Sequence, residues 1–258
     1  MRWRRQNMRK NIREQLLTMS ETEYQKFSSG LIPGVSNMLG IRLPELRKLA
    51  KQIAKGNWKD ALEEEDEYFE EIMLRGMVIS YAIKDIGESL PYIAAFIPKV
   101  DNWSVCDSVF MGMTVLQKDR ERTWEFIQDY LHSDKEFEVR VALIIMMQHL
   151  LKCDEGGKKI SRLRMVDMQA VENRLEKPGL FIERILEKLN REFREGYYAS
   201  MAASWLLAEC FCVYPHHTME FIRENRMDDA TFNKGIQKIT ESRIPTDEVK
   251  KMLRGMKR

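Results

Sequence analysis

Trp103 and Asp107 lie four residues apart in the run Asp101-Asn102-Trp103-Ser104-Val105-Cys106-Asp107. On a helix that spacing puts an indole and a carboxylate on the same face. An acid beside an indole is unusual on a plain core face, because a buried carboxylate is costly unless something pairs with it. Two readings are open at this point. In one, Trp103 is core and Asp107 bridges to a nearby arginine; in the other, a carboxylate and an aromatic face are turned toward a cationic ligand. Asp101 or Asn102 can cap the helix that starts here. The familiar enzymatic signatures are missing: there is no Gly-rich phosphate loop, no Gly-x-Ser-x-Gly elbow and no His-Glu-x-x-His. His132, His149, His216 and His217 are scattered and read as surface or helix-end residues. Cys106, Cys153, Cys210 and Cys212 contain no Cys-x-x-Cys pair and read as reduced thiols. No metal and no organic cofactor is therefore expected.

The segments that must carry these residues have helical periodicity. Ser20-Glu21-Thr22-Glu23 has the form of a capping box. Pro44 suits a first helical turn, Leu46, Leu49, Ala50 and Ile53 line one face, and Gly56 follows the end. Thr123 predicts a cap for a helix over 124–132, and Pro178 and Pro215 predict two further starts. Alternating strand patterns are absent. Met73 to Tyr81, the segment around Asp107, and Val139 to Met147 recur about every 33 residues, the period of helical-repeat solenoids. Tyr197 to Cys212 comes about two periods later. The interval predicts an insertion over 153–177, an exposed loop to Arg164 followed by a short helix. The fold expected is all-α, a curved solenoid of antiparallel helix pairs forming a single domain over 1–258, with a basic tail over 1–13. Second helices of such pairs line a concave face, which would give Asp107, Arg140 and Trp205 a shared groove.

Composition bounds the function. The chain of 258 residues is 44% hydrophobic and 32% charged with a net charge of +2, so overall charge does not itself point to nucleic acid. Arg2, Arg4, Arg5, Arg9, Lys10 and Arg13 precede the first acid, Glu14, and this end reads either as a phosphate contact or as a solvated tail. Val141 to Met147 is apolar but stops at Gln148, well short of the ~18 residues that span a bilayer. A basic start without an apolar segment behind it predicts no secretory signal, hence a cytoplasmic protein, and a monomer is the default.

From about Gly40 to Arg243 the chain resembles the DNA alkylation repair family of AlkD-like glycosylases, whose HEAT-like repeats wrap duplex DNA. The resemblance rests on Asp101 to Asp107, on Phe137-Glu138-Val139-Arg140, on Tyr197-Tyr198 through Ala203-Ser204-Trp205-Leu206-Leu207-Ala208-Glu209, and on Thr231-Phe232-Asn233-Lys234 with Gln237-Lys238 and Glu241-Ser242-Arg243. It implies that Asp107 is the catalytic carboxylate and that Trp103, Arg140 and Trp205 hold the damaged nucleotide. The loop over 153–164 is longer than the family's usual connection.

The implied reaction suits these residue types. A purine alkylated at N3 or N7 is cationic and leaves readily, and a carboxylate beside the sugar lowers the barrier as positive charge develops there. Trp103 and Trp205 would offer π faces, worth ~0.5–2 kcal/mol each. Arg140 would grip a phosphate. Lys234, Lys238 and Arg243 are candidate contacts to the DNA backbone, or simply a solvated face. The expected function is hydrolysis of the N-glycosidic bond of N3- or N7-alkylated purines in duplex DNA. The alternative is a non-catalytic HEAT-like repeat module that binds nucleic acid or a protein partner.

Overall fold

A computed structural model describes residues 12–63, 66–152, 158–173 and 181–258. Among them every named element is helical, and an isolated parallel bridge pairs Val166 with Pro245. The expected all-α class holds, with helices stacked in pairs within each of two compact units, residues 1–115 and 116–258.

The first unit contains α1 (12–18), α2 (Thr22–Leu31), α3 (Leu43–Ile53), α4 (Phe69–Ala82), α5 (Ile86–Phe96) and α6 (Trp103–Phe110). Pro44 opens α3 as expected, and the helix buries Leu46, Leu49 and Ala50 against α4. Almost all of α4 is buried, between α3 on one side and α5 and α6 on others. Its N-terminus is closed by Glu71, whose Oε2 accepts the N–H groups of Glu67 at 2.7 Å and Tyr68 at 3.0 Å.

Two expectations fail at this end of the chain. Arg13 belongs to helix α1 and not to a tail, because it ion-pairs with Glu67 and Glu71, both at 2.7 Å. Residues 1–11 lie outside the described residues. The Ser20 capping box does not form either. Helix α2 begins at Thr22 with Glu21 as its N-cap and no side-chain cap, and the Glu21 carboxylate is engaged by Arg42 instead.

The second unit contains α7 (Arg120–Leu131), α8 (Glu136–Ile145), α9 (Met168–Glu172), α10 (Ile182–Leu189), α11 (Tyr197–Val213), α12 (Pro215–Arg223), α13 (Asp229–Glu241) and α14 (Asp247–Arg254). Helix α11 is its axis and packs on α8, α10, α12 and α13. The α11–α13 approach is close because residue 235 is glycine: a Cβ there would sit 2.7 Å from Leu207. Helix α8 runs into a π-turn, Met146–Leu150, that buries Met146 and Met147 as a core pair should be.

Helix α7 starts four residues before its expected position. Asp119 caps it by accepting the Arg122 N–H at 3.0 Å, while the Thr123 hydroxyl is buried and donates to the Leu116 carbonyl. Pro215 opens α12 as expected, whereas Pro178 lies outside the described residues. The insertion is partly described. Residues 158–167 are non-helical and α9 follows, but the loop is tied down: Leu163 donates to the Cys212 carbonyl and Val166 to that of Ile244, both at 2.9 Å.

Helix α1 supplies a pH-dependent prediction. Burial pushes the Glu71 carboxyl up, but the Arg13 guanidinium and the amides of Glu67 and Tyr68 outweigh it, leaving it below its ordinary value. A depressed carboxyl contributes stability that is complete above the ordinary carboxylate range and is lost as pH falls through the depressed value. Amide exchange in residues 12–18, measured against the intrinsic rate at each pH, should therefore accelerate at acid pH in the wild type. In Arg13→Ala it should already be fast at neutral pH. Equal protection in the two proteins at neutral pH would contradict the pairing.

Candidate nucleic-acid interface

Helix α6 presents the pair read from the sequence. Asn102 is the N-cap and accepts the Val105 N–H at 3.0 Å. Val105, Cys106, Val109 and Phe110 form the buried face, which leaves Trp103 and Asp107 partly exposed on the other. Trp103 is not core. Its Nε1–H donates to the Leu31 carbonyl at 3.3 Å, and its ring borders a cleft of about 120 Å³ with Tyr24, Leu31, Met38, Phe69 and Met73. Asp107 lies one turn further along the helix and is not itself among the residues that line this cleft, although Ser104 and Ser108 on either side of it are.

In the second unit, α8 and the first turn of α11 are fastened at two points. The Glu136 carboxylate accepts the Tyr198 N–H, and Arg140 donates from Nη1 to the Tyr198 carbonyl at 2.8 Å. Arg140 is buried, with 5% of its surface exposed, so its guanidinium sits within the helix stack. Trp205 faces away from the core of α11, and its Nε1–H donates to Glu209 at 3.1 Å. A cleft of about 260 Å³ is lined by Trp205, Glu209, Arg162, Cys212, Lys238 and Ser242.

Cations crowd this region. Burial lowers the Lys238 ammonium from its ordinary value, and the positive charges of Lys234 and Arg140 lower it further against the opposing Glu241. An incoming phosphate would relieve that crowding. Lys234 reaches Gln237 at 3.2 Å. Arg243 follows the end of α13, is exposed, and is not among the residues of the cleft.

The sequence reading missed Glu209, Lys152 and Arg162 as a group. The Glu209 carboxylate is almost fully buried and takes ion pairs from Lys152 at 2.9 Å and from Arg162. Its spacing of four from Trp205 was a readable signal. Nothing in the sequence marked Arg162, which arrives from the insertion. His149 and His217 are buried at helix ends and not on the surface; His149 meets Gln117 at 3.0 Å. Cys106, Cys210 and Cys212 are buried thiols. Among the described residues no group of three potential ligands could hold a metal ion, and no helix is long and apolar enough to cross a membrane.

Residues 12–239 match the family model described as DNA alkylation repair enzyme. No curated protein matches the chain in a sequence search.

Proposed function

Because the chain belongs to the DNA alkylation repair enzyme family, with the role in DNA repair that this carries, we propose that it is a DNA glycosylase that releases cationic N3- or N7-alkylated purines from duplex DNA. The observation that carries this reading is the partly exposed carboxylate of Asp107, one helical turn from the Trp103 indole on a helix inside the family match. As the glycosidic bond lengthens, electrons leave with the base and neutralise its formal charge, and the sugar becomes oxocarbenium-like. Asp107 would stabilise that cation and orient the water that attacks it, and no general acid is needed for a leaving group that is already charged. Trp103 would offer its π face to the cationic nucleotide.

The second unit would contribute its own contacts to the duplex. Lys238 would engage a phosphate, with Lys234 and Arg243 as further candidates; Arg140, buried and bonded to the Tyr198 carbonyl, would add its positive charge from within the helix stack, and Trp205 would supply an aromatic face. Such contacts fix register and read no sequence. The test of this reading is the charge requirement. Duplexes carrying a cationic alkylpurine should acquire abasic sites with the protein, while duplexes with a neutral damaged base should not. Equal processing of both would remove the electrostatic argument.

A binding measurement checks the phosphate role separately. Lys238→Ala should weaken binding to damaged and intact duplex alike and reduce the slope of log K against log salt by about 0.9, the share of one phosphate contact. An unchanged slope would remove Lys238 from the interface.

A further inference from the structure

We infer that Glu209 and Arg162 are positioning residues that splint the Trp205 ring: Glu209 accepts the indole N–H, and Arg162, delivered by the long connection after the π-turn, holds that carboxylate in place. The significance for DNA rests on the role of Trp205 proposed above; the splint itself does not.

The geometry is specific. Trp205 and Glu209 are one turn apart on α11, and the indole Nε1–H points to Oε1 at 3.1 Å. Arg162 grips the same carboxylate in a fork, Nε to Oε2 at 2.9 Å and Nη2 to Oε1, while Lys152 reaches Oε2 at 2.9 Å. A bidentate guanidinium fixes both the position and the plane of a carboxylate. Backbone bonds from Leu163 and Val166 anchor the loop on either side of the contact. An indole fastened at its N–H edge loses rotation about its side-chain bonds and keeps one face toward the cleft that Lys238 also lines.

The charge state agrees with this arrangement. Burial raises the Glu209 carboxyl, but Arg162 and Lys152 outweigh it and hold it below its ordinary value, so it stays an acceptor at neutral pH. The neighbouring thiols of Cys210 and Cys212 are pushed up, chiefly by burial, and remain neutral. They add no charge of their own. The connection that carries Arg162 thus acquires a purpose: it stiffens an aromatic face before any ligand arrives, which lowers the ordering cost of binding.

Arg162 is about half exposed, so Arg162→Ala removes a surface side chain and leaves the core packing in place, which makes it the informative variant. The full chain is labelled with 5-fluorotryptophan, and the Trp205 fluorine resonance is assigned by its loss in Trp205→Phe. In Arg162→Ala the Trp205 signal should shift and broaden while those of Trp58 and Trp124 stay fixed, and Arg162→Lys should restore part of the change. A Trp205 signal that does not move in Arg162→Ala overturns the splint. On methylated duplex, Arg162→Ala should raise Kd several-fold in the wild-type background and add nothing in Trp205→Ala, since the two act through one ring. If Trp205→Ala leaves Kd unchanged while the fluorine signal responds, the DNA role of Trp205 fails and the splint stands.

Discussion

Asp107→Asn should lower the rate of base release from methylated duplex by roughly 10²–10³, the size expected when one preorganised charge is removed from a developing ion. The carboxamide keeps the shape of the side chain and loses only its negative charge, so the change isolates electrostatics. Asp107 is partly exposed on α6, opposite the helix face that buries Val105, Cys106, Val109 and Phe110. Melting temperature and duplex affinity measured alongside separate a catalytic loss from a folding loss. The expected result is slow release with binding retained. A variant as fast as the wild type would take the catalytic role away from Asp107.

Glu70→Ala should have the largest structural effect in the first unit. Glu70 is 1% exposed, and its carboxylate accepts three backbone N–H groups, from Leu39 at 2.9 Å, Gly40 at 2.8 Å and Ile41 at 3.2 Å. Hydrogen bonds to a charged acceptor contribute about 1.5–3 kcal/mol each, so their combined loss is several kcal/mol. The loop they hold is tight. Gly40 has φ of +81°, and a Cβ on it would come within 2.6 Å of Gln25 and of the Glu21 carbonyl. The same loop fastens α2 through Glu21 N–H to the Gly40 carbonyl and Gln25 to the Met38 carbonyl. Helix α2 in turn supplies Tyr24 and Leu31 to the Trp103 cleft. Amide exchange at residues 39–41 should therefore accelerate at least a hundred-fold in Glu70→Ala, with the Trp103 fluorescence altered as its cleft loosens. Unchanged protection of those amides would show that the loop is held by something other than Glu70.

The parts of this molecule that could be read from sequence are those set by local spacing. Asn102 caps α6, Pro44 and Pro215 open their helices, and Trp103 and Asp107 share a face, each following from residues within a turn of one another. What could not be read came from distant partners that displaced a local choice. Thr123 is a fair N-cap by type, yet its hydroxyl is taken by the Leu116 carbonyl and Asp119 starts the helix instead. Ser20 would serve a capping box with Glu23, but Glu21 takes the N-cap position and its carboxylate is held by Arg42, twenty-one residues away. Arg13 looks like part of a basic tail until Glu67 and Glu71 fold against it. The Arg162–Glu209 pair spans forty-seven residues, beyond any pattern that a single sequence offers. The buried His149 belongs to the same class, as its Gln117 partner lies thirty-two residues away.

Catalysis and DNA binding separate the glycosylase from its rival, a repeat module that holds nucleic acid or a protein and performs no chemistry. The rival predicts salt-dependent duplex binding without product, or no duplex binding at all if its partner is a protein. Incubating the wild-type protein in excess over methylated duplex, and separating free bases by chromatography at timed intervals, distinguishes the two. The account predicts 7-methylguanine or 3-methyladenine released faster than from the same duplex without protein. No free base above that background, from a preparation that is folded and binds the duplex, would contradict it.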